Sequence, residues 1–137
     1  MTYVLDASAL LRYLDGEEGV DRMSEIIKSH VNLESHILVS AVNWGEVLCT
    51  LLRRGAAVDA FETMDQLRDL SFEIVPATAQ RCERAAQIKA TRRIPYADSF
   101  GVELADAPDH VLVTADFDVK PAQADIRIEF LSTKPKP

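Results

Sequence analysis

Two hydrophobic periods alternate along the chain. TYVLD at 2–6, HILVS at 36–40, FEIVP at 72–76, HVLVT at 110–114 and IRIEF at 126–130 are short apolar runs rich in β-branched and aromatic residues, the pattern of buried strands. Between them apolar residues recur at helical spacing. Leu10, Leu11 and Leu14 precede Gly16, and Val20, Met23, Ile26 and Ile27 share one side of 20–30. Val47, Leu48, Leu51 and Leu52 precede Gly55, and Val58, Phe61, Met64 and Leu67 repeat the stripe in 57–70. Ser40 and Thr78 stand at N-cap positions, Thr78 of a helix reaching about Arg92, and Pro95 opens a further helix to about Ala107.

Strands alternating with helices predict an α/β fold, a three-layer sandwich whose mainly parallel central sheet of about five strands is flanked by helices through right-handed crossovers. No repeat or interdomain linker interrupts the pattern. Residues 1–131 are therefore expected to form one domain and 132–137, STKPKP, a flexible tail. In such sheets ligands bind beyond the carboxyl ends of the strands, where strand order reverses. The side chains that matter are those at strand ends and in the first turns of the helices that follow.

Carboxylates collect at those positions. Asp6 ends the first strand, with Ser8 two residues on; Glu46 lies in the first two turns after HILVS; Asp98 is in the first turn after Pro95; and Asp116 and Asp118 follow the fourth strand, with Thr114 just ahead. One such acid is an ordinary helix N-terminal residue, favoured by the macrodipole. Four directed at one sheet edge repel one another, and each raises the proton affinity of the rest. A divalent cation removes that conflict. Oxygen donors without His or Cys are hard ligands suited to Mg²⁺ or Mn²⁺, and a site so neutralised admits a phosphodiester. The chemistry that follows is metal-assisted phosphodiester hydrolysis.

Composition narrows the choice further. With 137 residues, 47% of them hydrophobic, the chain has material for one substantial core. A formal net charge of -7 argues against coating nucleic acid through a general positive field, so any such contact is local. Arg81, Arg84, Lys89, Arg92 and Arg93 form one basic run, opposed within it only by Glu83, and Arg53 and Arg54 form a second. Cys49 and Cys82 lack C-x-x-C spacing and are expected as buried thiols in a reducing compartment. No apolar stretch approaches membrane-spanning length, and the start lacks a basic n-region, so a soluble cytoplasmic protein is expected. A serine hydrolase elbow, a Walker A segment and a dinucleotide fingerprint are all missing. Trp44, beside Glu46, is expected as a core or interface anchor.

Four segments, VLDASALL, NWGEV, YADSFGVELA and LVTADFD, follow one another over nearly the whole chain. In that order and spacing the sequence resembles the PIN-domain ribonucleases, and specifically the small single-domain toxins of VapBC-type toxin-antitoxin pairs. The resemblance implies that Asp6, Glu46, Asp98 and Asp116 hold the metal, directly or through water. It implies supporting hydrogen bonds from Ser8, Thr114 and Asn43, an RNA substrate, an inhibiting antitoxin partner and a homodimer. The chain departs from the family in one place: the aromatic that often follows the second acid of T-x-D-x-D is here Val119, and Phe117 lies between the acids. The division of labour between Asp116 and Asp118 is thereby open, with Asp116 favoured as the first after the strand. Arg92 and Arg93, with the face from Arg81 to Lys89, are candidates for positioning the RNA backbone. Two alternatives stand beside this reading. One is a catalytically silent PIN-like module whose acidic pocket receives a partner's Arg or Lys. The other is a phosphatase of the haloacid dehalogenase type, which normally needs a second Asp where Ser8 stands.

Overall fold

A computed structural model describes residues 1–132. Strands β1 (Thr2–Leu5), β2 (His36–Ser40), β3 (Glu73–Val75), β4 (His110–Thr114) and β5 (Ile128–Phe130) form one sheet in the order β3-β2-β1-β4-β5. Every pairing is parallel. Helices α1 (Ala7–Asp15), α2 (Val20–Val31), α3 (Ala41–Arg54), α4 (Ala57–Arg68), α5 (Ala79–Arg92) and α6 (Tyr96–Ala105) make the connections. The three-layer α/β sandwich expected from the alternating pattern is the fold observed.

Side chains of the central strands divide between two cores because successive residues point to opposite faces. Leu5, Ile37, Val39 and Val113 enter one core with Leu10, Met23, Ile26, Val47, Met64 and Leu67 of α1 to α4. Val4 and Leu112 enter the other with Val102 and Leu104 of α6 and with Val119, Ala122 and Ile126. Trp44 is buried in the first core, as an anchor. Both caps foreseen in the sequence form: Ser40 accepts from the Val42 N–H at 3.2 Å, and Thr78 from the Arg81 N–H at 3.3 Å.

Two expectations are corrected, the start of the last strand and the burial of the cysteines. The segment after β4 forms a 3-10 helix, Phe117–Ala124, which places Val119 and Ala122 in the second core; its apolar residues are too few and too irregularly spaced to show a period. The last strand begins at Ile128, two residues later than expected, because Ile126 is spent on the core beneath that helix. Cys49 is exposed and Cys82 only half-buried, since the buried stripe of α3 runs through Asn43, Trp44 and Val47 and that of α5 through Ala85. Of the expected tail, Ser132 is 8% exposed and so buried, and 133–137 lie outside the described residues.

The chain turns into α2 at Gly19, whose φ of +95° only glycine adopts without strain. A Cβ built there would stand 2.7 Å from Leu131 Cβ, so the turn also needs the missing side chain to lie against the end of β5. Gly19→Ala should lower the unfolding free energy by about 2 kcal/mol, combining backbone strain with overpacking. Urea denaturation measures it, and an unchanged midpoint would contradict the close approach.

Candidate active site

Strand order turns back between β1 and β4: the chain progresses from β1 to β2 and β3 on one side and adds β4 and β5 on the other. The two strands flanking that switch deliver Asp6 and Asp116. Leu5 pairs with Val113, so the next residues, Asp6 and Thr114, emerge side by side at the carboxyl edge. The Thr114 hydroxyl donates to Asp6 Oδ2, and Asp6 Oδ1 accepts from the Ser8 hydroxyl at 2.7 Å and from the Ala9 N–H at 3.0 Å. Asp6 thus caps α1 while its carboxylate is 4% exposed. Ser8 Oγ in turn accepts from the Ala115 N–H at 2.9 Å, and Thr114 Oγ1 from the Asp116 N–H at 3.0 Å, which ties the turn after β4 to the start of α1.

Two helices bring the other acids. Asn43, 1% exposed on α3, donates through Nδ2 to Glu46 Oε1 at 2.9 Å and to the Ala97 carbonyl at 3.1 Å. One amide therefore orients Glu46 and joins α3 to the first turn of α6, where Asp98 sits. Helix α6 lies close against this floor because residue 101 is glycine. A Cβ there would be 3.1 Å from Leu112 Cδ1, 3.6 Å from Asn43 Oδ1 and 3.8 Å from Asp6 Cβ.

Oxygens of Asp98, Asp116 and Asp118 lie within 4.8 Å of one another, the spacing of ligands that share one ion. Asp118 is held there by its own N–H, which donates to Asp116 Oδ1 at 2.9 Å. The sequence treated Asp118 as a supporting residue; the geometry puts it beside Asp98 and Asp116, with Asp6 and Glu46 adjoining. Burial pushes Asp98 up to about 7, reinforced by the charges of Asp116, Asp6 and Glu46 and by a hydrogen bond with Asp116. Asp6 is pushed up to about 6, chiefly by burial and further by Asp116, against the lowering effect of its three hydrogen bonds. The charges of Asp6, Glu46 and Asp116 all raise the proton affinity of Asp98, so acids from four separate segments lie within electrostatic reach of one another. A donor set of carboxylates alone, crowded enough to hold protons near neutral pH, fits a hard divalent cation.

The basic run is placed differently from the acids. Arg81 donates through Nη1 to Glu103 Oε1 and Oε2 at 2.8 and 2.9 Å, and Arg84 to Oε1 at 3.2 Å, balancing an acid only 7% exposed on α6. Arg92 forms a bidentate pair with Asp125 at 2.6 and 2.7 Å. Arg93 is exposed and ends α5 in a left-handed conformation. Two cations the sequence did not single out for the site, Arg12 and Arg54, line a groove beside Asp116 and Asp118. Arg12 was legible, four residues after Ser8 on the same helical face; Arg54 was not, because it reaches the groove from α3 through its pair with Asp15 at 2.9 and 3.0 Å.

The raised values of Asp6 and Asp98 fix the sign of a pH effect. Each acid binds its proton more tightly folded than unfolded, so the metal-free fold gains stability as pH falls from about 8 through 7 and 6 toward the unfolded value near 4, and loses it in the reverse direction. For buried Asp6 the swing is about 3 kcal/mol. Urea midpoints of metal-free protein should therefore be higher at pH 5.5 than at pH 8. The slope should flatten in Asp6→Asn and Asp98→Asn, and a divalent cation should restore stability at pH 8. A midpoint independent of pH in this window would show that burial and neighbouring charge do not hold protons on these acids.

Comparison with known proteins agrees with this architecture. No curated protein matches the chain. Among solved structures it is similar to VapBC2 from Rickettsia felis bound to a promoter DNA fragment, at 14% identity and a TM-score of 0.76, covering 95% of this chain and 98% of that one. It is also similar to DNA-bound VapBC from Salmonella typhimurium, at 15% identity and a TM-score of 0.70, covering 96% and 99%. A toxin-antitoxin complex from Klebsiella pneumoniae aligns at 14% identity and a TM-score of 0.66, covering 95% and 98%. At these identities the likeness is one of fold. The family model for the PIN domain matches residues 3–124, from the first residues of β1 to the end of the 3-10 helix, and so takes in every acid of the site: the chain belongs to the PIN domain family.

Proposed function

We propose that the chain is a metal-dependent ribonuclease that hydrolyses RNA phosphodiester bonds, and that it is the toxin of a toxin-antitoxin pair. The observation that carries the nuclease reading is the meeting of Asp98, Asp116 and Asp118 within 4.8 Å beside Asp6 and Glu46, at the switch point of a PIN fold. The toxin reading is supported by the fold shared along nearly full length with the Rickettsia, Salmonella and Klebsiella complexes. By the same analogy the partner is an antitoxin protein. No helix among the described residues is long and apolar enough to cross a membrane, which fits a substrate met in solution.

Asp98, Asp116 and Asp118 would hold Mg²⁺ or Mn²⁺, with Asp6 and Glu46 beside them, directly or through water. The bound cation supplies a water of lowered pKa and stabilises charge on the leaving oxygen. The chain's own groups do the rest. Thr114, Ser8 and the Ala9 N–H hold the Asp6 carboxylate in one orientation, and Asn43 does the same for Glu46. A carboxylate of the cluster not spent on the cation is suited to accept a proton from the attacking water. Lys89 and Arg93, both exposed, are the members of the basic run best suited to meet an RNA backbone, since Arg81, Arg84 and Arg92 face carboxylates of the fold.

Purified chain incubated with a mixed RNA pool should cleave it with Mg²⁺ or Mn²⁺ and stop with chelator. Asp6→Asn, Asp98→Asn and Asp116→Asn should each lower the rate by at least about a hundredfold. Calorimetric titration with Mn²⁺ should show binding to wild type that weakens in Asp98→Asn and Asp116→Asn. Cleavage by the variants at the wild-type rate would remove the nuclease reading. Absence of both metal binding and cleavage in wild type would favour a silent module that receives a partner's Arg or Lys.

A further inference from the structure

Phe117 stands where burial alone does not explain it. The 3-10 helix contributes Val119 and Ala122 to the core, both fully buried, whereas Phe117 belongs to neither core and is half-buried between two carboxylates. It lines the groove of about 480 Å³ that runs from the acid cluster past Arg12 and Asp15 of α1 and Arg54 of α3, and it is the one aromatic among the described residues that do. Ser8, Arg12 and Asp15 recur at helical spacing, so the wall that α1 gives the groove is about 10 Å long.

The ring is held rigidly. It stacks on Phe130 of β5 with centroids 4.7 Å apart and planes 7° from parallel, and Phe130 does not itself line the groove. The backbone on either side is fixed by the Asp118 N–H donating to Asp116 Oδ1. An aromatic plane immobilised on one side, partly open on a groove, and joined by one peptide bond each way to Asp116 and Asp118 has the properties of a base-stacking platform.

We propose that Phe117 is a positioning residue, whose ring stacks on the nucleobase next to the scissile phosphate and so aligns that phosphate with Asp98, Asp116 and Asp118. The proposal rests on the ribonuclease reading. It asks for a base free of its own helix, because a base stacked within a duplex has no face to offer the ring. Guanidiniums of Arg12 and Arg54 stand in the same groove to meet the neighbouring phosphates; Asp15, and Glu17 at 3.9 Å from Arg12 Nε, keep the groove from being a general anion trap.

The test is steady-state cleavage of a single-stranded oligoribonucleotide by wild type, Phe117→Leu, Phe117→Trp and Phe130→Leu, with Mn²⁺ binding and thermal melting recorded for each. Phe117→Leu should raise KM about tenfold, with the loss carried by KM rather than kcat, and Phe117→Trp should restore it. Mn²⁺ affinity should be the same in wild type and Phe117→Leu. Phe130→Leu loosens the ring without removing its stacking face and should raise KM by less than Phe117→Leu does. An abasic nucleotide beside the cleaved bond should reproduce the tenfold loss on wild type and add little to it on Phe117→Leu. Equal KM for wild type and Phe117→Leu overturns the proposal, as does an abasic penalty as large in Phe117→Leu as in wild type, which is the mark of packing. Those outcomes leave the ribonuclease reading standing, whereas a wild type that cuts no RNA removes both.

Discussion

Crowding of negative charge at one sheet edge is the constraint around which this molecule is organised. Carboxylates this close cannot all ionise cheaply without a counter-charge, and burial first, with the neighbouring charges adding to it, raises the proton affinities of Asp6 and Asp98. The fold resists the repulsion with short local bonds. Asp6 is clamped by a hydroxyl from the neighbouring strand, a hydroxyl from its own helix and a helix N–H, so it cannot rotate away from the cluster. That clamp exists because β1 and β4 are in parallel register, with Leu5 opposite Val113. A slip of one residue would turn Asp6 to the opposite face of the sheet and dissolve the site.

The same economy governs the cations. In a chain of net charge -7 most of the basic run on α5 is committed within the fold, Arg81 and Arg84 to a buried glutamate and Arg92 to Asp125. Removing a partner from the Glu103 cluster would leave an uncompensated charge in the interior, so these arginines are fixed by stability before they are available to a ligand. Positive charge near the acids comes instead from Arg12 and Arg54, and even these stand beside Asp15 and Glu17. The groove is thus a mosaic of both charges and not a uniformly positive surface.

On the proposed reading, metal binding and the stability of the fold are coupled. A site that strains the empty fold is stabilised by whatever neutralises it, since a ligand that binds only the native state shifts the folding equilibrium in its favour. Asn43 and Gly101 show how far this reaches: one amide spans α3 and α6, and one absent side chain lets α6 settle on the floor formed by Asp6 and Leu112. The acids are held by contacts among elements distant in sequence.

The alternation of apolar runs determined the layers, the five strands, the helices and their caps, because period and capping are local properties that the covalent chain carries openly. It also determined which acids end strands or open helices, and hence that Asp6, Glu46, Asp98 and Asp116 face one edge. Local pattern was silent where partners are distant. It did not disclose that Asp118 would stand within reach of Asp98, that Arg81 and Arg84 would be drawn to Glu103, that Arg54 would arrive from α3, or that Phe117 would be propped against Phe130 at the groove. Those pairings depend on the packing of whole helices against a twisted sheet, and the tertiary structure decides them through distances that no spacing along the sequence encodes.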